Sequence, residues 1–267
     1  MKSIAVSAIK EVISVAEAKT HLRVSTSSDD TYIGNLITTA RLWTEKYLNT
    51  SIVANTFDVA MDRFPRVFDI KNFPLVKIER LSYFTGSVLT DVSKSNYDID
   101  RFGVVCRVDP SNGFTWPTPD VRTNAVRLRY TAGYLLPILA ANINNTTNIF
   151  TVVNHDFIEN DTITFHLTGG SGVIPTGLTA GVTYYIISVV GDTFQVSATE
   201  GGIAVSISDS GTDDIYISTV GGLPETIRQA MLLLIGDMYL NRCIAPRKVM
   251  NNTLYELLDP FRVVLLA

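Results

Sequence analysis

The residues best equipped for chemistry in this chain are carboxylates and a few imidazoles, and none stands in a pattern that a reaction requires. Asp98 and Asp100, in "YDIDRF", share one face if the segment is a strand, because strand side chains alternate with a period of two. Paired carboxylates can divide acid and base roles. Flanked by Tyr97, Arg101 and Phe102, they read more simply as a charged sheet edge, which leaves a hydrolase with little support. Of three histidines, His21 falls in a helical stretch, whereas His155 and His166 lie near Asp156, Glu159 and Asp161, the donor types of a zinc site. With "FIEN" as a turn and "TITFHL" as a strand, His166 points across a sheet face and the acids crowd a solvated turn, so no metal is expected. The loop "SDSGTDD", Ser208 to Asp214, offers oxygen ligands and a glycine but lacks the bidentate Glu of a calcium loop. It reads as another solvated turn.

Cys106 and Cys243 fit no CxxC or zinc spacing and are expected to be buried, reduced thiols. "RFPRVFDIK" and "VRTNAVRLRY" group basic and aromatic residues, a weak nucleic-acid pattern. The simpler reading is a solvated β face on which Arg101, Arg122, Arg127 and Arg129 pair with local acids. Phosphate loops, nucleophile elbows, HExxH and dinucleotide fingerprints do not occur. No catalytic residue, cofactor or metal follows, and the chain is not read as an enzyme.

The elements that hold these residues begin with helices. Ser14 followed by Glu17 is a capping box, so "VAEAKTHLRV" starts a short helix at Val15. "SSDD" supplies a cap and first-turn acids for a longer helix, in which Ile33, Leu36, Ile37, Ala40, Trp43, Tyr47 and Leu48 fall on one face. Helices therefore occupy 15–49. From 51 to 131 the period changes to two, with "NTFDVAMDRF", "VKIERLSYF", "YDIDRFGVVCRV" and "AVRLRYTAG" as the strands of a β layer. Helices resume over 224–258. Pro224 stands at N1 of "ETIRQAMLLLIGDMYLNR", which is apolar around most of its circumference and must be central to a core or a subunit contact. "TLYELLDPFRVVLLA" adds a short helix ending before Pro260 and an apolar tail.

Between the β layer and the last helices the charge pattern changes. From Arg129 to Arg228 there are 98 consecutive residues without lysine or arginine. Residues 135–222 contain eight acids and no base, while the remainder balances 22 bases against 18 acids, giving −8 and +4. The same stretch is rich in Thr, Ile, Val and Gly and reads as short strands: "NIFTVVN", "DTITFHL", "TYYIISVV", "TFQVSAT", "IAVSI" and "DIYIST". Such spacing predicts an all-β, sandwich-like or barrel-like domain. "NINNTTN" at one end and Gly221–Gly222 at the other read as flexible joints. The fold class is therefore α+β, with a discontinuous domain of helical bundle and β layer, 1–134 plus 223–267, interrupted by an inserted β domain, 135–222.

A chain of 267 residues with a net charge of −4 has no general attraction for nucleic acid or anionic membranes. The early apolar run is broken by Ser7 and Lys10, too soon for a signal-peptide core, and "AMLLLIG" is far short of a membrane span. Synthesis in a reducing cytoplasm is expected, where the N-x-S/T triplets carry no glycosylation message.

The order "VAEAKTHLRV", "DDTYIGNLITTARLWTEKYLNTSIV", "TFDVAMDRFP", "VRLRYTAGY" and "LPETIRQAMLLLIGDMYLNR" resembles the head-tail connector (adaptor) proteins of long-tailed bacteriophages, over about 14–134 and 223–265. The resemblance implies a virion structural protein without enzyme activity. It implies a ring, usually of twelve subunits, beneath the portal vertex, in the neck at the head-tail interface. That ring extends the DNA channel used in genome packaging and ejection, touches genomic DNA only passively and offers a docking surface to the next neck or tail protein. Portal and tail or neck completion proteins are the implied partners, with no membrane. In that family the C-terminal segment commonly docks on the portal. Leu254, Leu257, Leu258 and Phe261, with Arg228 and Tyr239, are accordingly expected at the portal or subunit interface.

Compact members consist largely of the helices, so the β layer matches only longer ones. Typical members also pass from "AGY" to the "LPETIRQA" equivalent by a short link. The insert is similar to a small β module recurrent in phage structural proteins, carried by "NHDFIENDTITF", "IPTGLTAG", "VTYYIISV" and "DTFQVSAT". A second reading makes this insert a carbohydrate- or cell-surface-binding module, with Tyr184, Tyr185 and Phe194 lining a sugar site. Alternation favours core packing for at least half of those rings.

Overall fold

The computed structural model describes residues 11–101, 105–167, 172–212, 215–219, 221–241 and 252–263. Helix α1 (Val15–Leu22) starts as the capping box predicts: Ser14 is extended and its Oγ accepts from the Glu17 N–H at 3.0 Å. Helix α2 (Asp30–Leu48) starts differently. Asp29 makes no side-chain cap; the acids of "SSDD" serve tertiary bonds instead, Asp30 accepting from Lys19 at 2.7 Å and Asp29 from the Tyr239 hydroxyl at 2.6 Å.

The predicted apolar face of α2 is buried, with Trp43 and Tyr47 half-buried at its margin. Buried beside it is a residue that the periodicity does not flag, Arg41. Its guanidinium bonds Glu11 at 2.7 and 3.1 Å and Glu45 at 3.1 Å, while the other Glu45 oxygen accepts from the Ile52 N–H at 2.9 Å. Burial alone would lower the pKa of Arg41, but the two carboxylates outweigh it and hold the guanidinium above its ordinary value.

Helix α3 (Glu225–Leu240) has Pro224 as its cap rather than its first residue; the Pro224 carbonyl accepts from the N–H of Ile227 and of Arg228. The helix buries Ile227, Ala230, Met231, Leu232, Leu234 and Ile235, while Glu225, Gln229, Leu233, Asp237 and Leu240 form an exposed stripe, so it is not apolar and covered all round. Helix α4 (Asn252–Leu258) passes into a single 3-10 turn containing Pro260. These four helices share one core with Val12, Ile13, Ile52, Val53, Tyr134, Leu135 and Tyr216, so chain from both ends meets in it.

The β layer holds β1 (Asn55–Met61), β2 (Phe68–Ile70), β3 (Leu75–Thr85), β4 (Val88–Asp91), β5 (Tyr97–Asp100), β6 (Cys106–Pro110) and β7 (Val126–Ala132). They form two antiparallel sheets, ordered β1-β7-β3-β4 and β2-β6-β5, around a second core. The single strand predicted over "YDIDRFGVVCRV" is two, β5 and β6, and Phe102 lies outside the described residues. Strands β2 and β4 are too short to show a period. The β3–β4 turn places Gly86 and Ser87 at φ of 57° and 66°, the mirror-image turn suited to a hairpin. Asp120 fixes it by accepting from both N–H groups.

Strands β8 (Leu136–Ile138), β9 (Ile143–Asn144), β10 (Ile149–Thr151), β11 (Thr162–Leu167), β12 (Thr183–Val190), β13 (Thr193–Ser197) and β14 (Ile215–Ser218) form one antiparallel sheet, ordered β8-β14-β11-β12-β13-β10-β9. Every strand of it contributes to a third core, so the sheet curls around its own interior. It is a single barrel-like sheet and not two stacked ones. "IAVSI" contributes only a bridge, Ala204 to Ser197.

Neither expected joint is a loose link. In "NINNTTN", Asn144 Oδ1 accepts from Thr146 and Thr147 N–H to shape the β9–β10 turn. Gly222, at φ 96°, packs on the His166 ring with no room for a Cβ, and its N–H donates to Ser218 Oγ. At the other boundary Tyr134 and Leu135 bond the backbone of Ser51, Ile52 and Ala54.

Candidate assembly surfaces

The residues with chemical potential are held apart. Asp98 and Asp100 do share the exposed face of β5, opposite Asp109 and Arg107. His155 is buried, stacked on Phe157 with its ring edge-on to Phe194, and its Nδ1 accepts from the Phe157 N–H at 3.2 Å. His166 pairs through Nε2 with Thr164 Oγ1 at 2.7 Å. Among the described residues no three of His, Cys, Asp and Glu gather in a way that could hold a metal ion. Asp209 caps its own loop, accepting from the Thr176 and Gly211 N–H groups, and the Thr176 side chain together with these N–H groups holds its carboxyl below the ordinary range; Asp213 and Asp214 lie outside the described residues. Cys106 is a buried free thiol whose pKa burial pushes up, and Cys243 lies outside the described residues. Tyr184 and Phe194 are buried in the third core and Tyr185 is half-buried, so two of the three rings read as a sugar platform are core residues.

The arginines divide. Arg129 makes a bidentate pair with Asp58 at 2.7 and 2.8 Å, and Arg101 lies 3.9 Å from Asp156. Arg122 and Arg127 stand over the Phe84 ring instead, at 3.9 and 5.1 Å. They are cation–π partners of that ring, and the charge of Arg127 also acts on Asp58.

Burial is the leading cause lowering the pKa of both His155 and His166. Unfolded histidines take up protons near pH 6.5, so the unfolded chain binds protons before the folded one. Stability is then full above that pH and falls as pH drops through the depressed folded values. The urea midpoint is expected to fall between pH 7.5 and pH 5, and His166→Gln to flatten the dependence. A midpoint that is constant or rises over this range contradicts the assignment.

The six residues expected at an interface are placed on the helical body, and most are engaged within the chain. Leu254 and Leu258 are buried in the helical core, and Leu257 and Phe261 pack half-buried against it. A seven-residue helix is marginal alone, so α4 must bury its apolar face against α2 and α3. The two buried leucines are therefore part of the body's own core. Arg228 bonds Glu17 at 2.7 Å, and Tyr239 bonds Asp29, which ties α3 to the starts of α1 and α2.

What the helical body does present is an aromatic patch that helix-by-helix reading misses. Trp43 stacks on Tyr47 at 5.4 Å, Tyr255 closes on both at 6.2 and 5.2 Å, and the Arg262 guanidinium lies 5.0 Å from the Tyr47 centroid. Tyr47 also donates to Asp259. Trp43, Tyr47 and Tyr255 are half-buried and Arg262 is exposed beside them, and Trp, Tyr and Arg are the side chains that dominate protein interfaces. The sequence signal was Trp43 and Tyr47 at i, i+4; its partner Tyr255 lies more than 200 residues away.

Fold and surface together define a class: a protein whose reactive side chains are engaged in packing and whose presented features suit contact with other proteins. Residues 12–70, from the capped start of α1 through β2, match the phage gp6-like head-tail connector family. The whole chain shares its fold with proteins of gene transfer agent particles. One is in the virion of the native particle (TM-score 0.59, 14% identity), one in the neck of the empty particle treated with C6 symmetry (0.57, 15%) and one in the neck of the native particle treated with C12 symmetry (0.53, 14%). Each comparison covers 100% of this chain and 98% of the other. At such identities the likeness is one of fold. Comparison with curated proteins returns no match. The resemblance to phage head-tail connectors holds, and the family match over residues 12–70 points to a structural role. No helix among the described residues is long and apolar enough to cross a membrane.

Proposed function

We propose that this chain is the repeating subunit of a connector ring between the head and tail of a phage-like particle. The observation that carries the reading is a connector-family match over α1, α2, β1 and β2, set in a fold that follows a neck protein over its full length. Residues 1–134 and 223–267 form the ring body, and residues 135–222 an inserted β unit on its outside. The C12 symmetry applied to one similar neck supports a ring of twelve. A closed ring of identical subunits needs two different complementary faces, and a −8 unit beside a +4 body supplies opposite signs.

The Trp43–Tyr47–Tyr255–Arg262 patch, with Leu257 and Phe261 at its rim, docks on the portal. The opposite end of the body receives the next neck or tail protein. Contact with DNA in the channel is passive, since channel walls must let DNA slide. Electron microscopy of the purified protein is expected to show rings with peripheral knobs. Tyr255→Ala should leave the rings intact and abolish their attachment to portal. Dispersed monomers that never assemble with portal would sink this reading, as would tight, salt-sensitive DNA binding.

A further inference from the structure

Of the six large apolar side chains most exposed among the described residues, five, each at least 64% exposed, fall in two places. Val88 and Val121 lie at the β3–β4 hairpin of the body. The loop that carries Val121 is tied to this hairpin: the Asp120 N–H donates to the Phe84 carbonyl at 2.8 Å, and the Asp120 carboxylate holds the turn. Arg122 and Arg127, both exposed, lie over the Phe84 ring. Arg80 and Arg129, opposite each other in the same sheet, are paired with Asp91 and Asp58. The charges this surface presents are therefore the two guanidinium groups held over Phe84.

The other three, Ile158, Val190 and Ile203, stand on segments of the β unit that hydrogen bonds tie together. Glu159 Oε1 accepts from the Val189 N–H at 2.9 Å and Asn160 Oδ1 from the Gly201 N–H at 3.1 Å, while the Asn160 N–H donates to the Ile186 carbonyl at 2.8 Å. The exposed charges on these segments are Glu159, Asp192 and Glu200, and the β unit contains no base to offset them. This second patch is apolar and acidic where the first is apolar and basic. Exposed apolar groups rimmed by charge mark contact sites, and patches of opposite sign steer and select each other.

We infer that the two patches are the two sides of one contact, in which the acidic end of the β unit docks on the Phe84 hairpin of the next copy of the chain. The inference rests on the ring reading and names the surfaces that close the ring. Within one chain the β unit meets β3 at Lys77 and Ile78. Ile78 lies six residues before Phe84, roughly 20 Å along a strand, so the hairpin patch is left for a neighbour. Two different patches on one subunit give a head-to-tail contact, the type that closes rings. A guanidinium stacked on a ring still offers the N–H groups of its edge to carboxylates. Val88 and Val121 favour a protein surface over a phosphate backbone, which has nothing apolar to give them.

Ring formation by the full chain, alone or on portal, tests the contact when followed by electron microscopy and light scattering. Arg122→Glu/Arg127→Glu should lower the assembled fraction by about tenfold or more, and Glu159→Lys/Glu200→Lys should do the same, as like charges across a contact require. Circular dichroism should not change in either. All four substitutions in one chain should restore the rings, a rescue that local damage would not allow. Where Glu159→Lys loosens its loop, Glu200→Lys/Ile203→Lys, which keeps the bond to Val189, takes its place. Undiminished rings in both charge-reversed variants, or no rescue in the combined one, overturn the inference and leave the ring reading standing. An arginine variant that assembles normally but loses retention on DNA also overturns it and assigns the hairpin to DNA. Wild-type chain that never assembles overturns both readings.

Discussion

Tyr216→Ala is expected to destabilise the helical body and the β unit together, by about 3–5 kcal/mol, as loss of a large buried ring does. All four residues of β14 are buried, an unusual state for a strand in a small curled sheet. Ile215 and Ile217 face the interior of the β unit, whereas Tyr216, 1% exposed, points the other way into the helical core. One strand therefore forms part of two cores. Removing its ring opens a cavity among the helices and loosens the strand between β8 and β11. Urea unfolding followed by fluorescence of Trp43 and Trp116, both in the body, should move together with hydrogen exchange of β11 to β13. Tyr216→Phe, which keeps the ring volume, should lose less than half as much. Two separate transitions, with the β unit unmoved, would refute the shared core.

Asp156→Ala is the second large effect, expected at about 1–3 kcal/mol because it leaves the buried Ile78 N–H without its acceptor. The Asp156 side chain is only 8% exposed; it accepts from Lys94 Nζ at 2.7 Å and from the Ile78 N–H, with Arg101 at 3.9 Å. The Ile78 N–H is available because β3 slips register against β7 on either side of that residue. Lys77 adds a bond of 2.6 Å to the Val153 carbonyl. These bonds set the angle at which the β unit meets the β layer. Loss of the carboxylate should lower stability and widen the range of orientations seen by small-angle scattering. Asp156→Asn, which can still accept from Ile78, should retain much of the angle. An Asp156→Ala variant with unaltered stability and scattering would show that the clamp is idle.

Elements specified by local pattern were legible in the sequence. Ser14 and Glu17 named the start of α1, the heptad-like face of α2 is the buried one, and alternation located β1, β3, β7 and β10 to β13. What escaped was set by tertiary context. Arg41 lies on the buried side of a helix only because Glu11 and Glu45 neutralise it. Strands β2, β8 and β9, at two or three residues, are too short to carry a period. Gly221–Gly222 looked like a hinge because composition cannot reveal that at Gly222 an imidazole occupies the space a side chain would need. The two most buried of the residues expected at an interface illustrate a related point. An apolar α4 face signals a need for cover without saying whether cover comes from the same chain, and for Leu254 and Leu258 it does. The aromatic patch depends on Tyr255 meeting Trp43, a juxtaposition that no linear pattern contains.

Sharing β14 between two cores also limits how this architecture can be rearranged by recombination. A gene lacking the codons for 135–222 would encode a body with a hole where Tyr216 sits, and a foreign module spliced in their place would need its own aromatic at that spot. The β unit is thus not an exchangeable cartridge. Lineages that gain or lose it must also re-tailor the helical core that receives Tyr216, and coordinated change there is the trace that such an exchange would leave in related genomes.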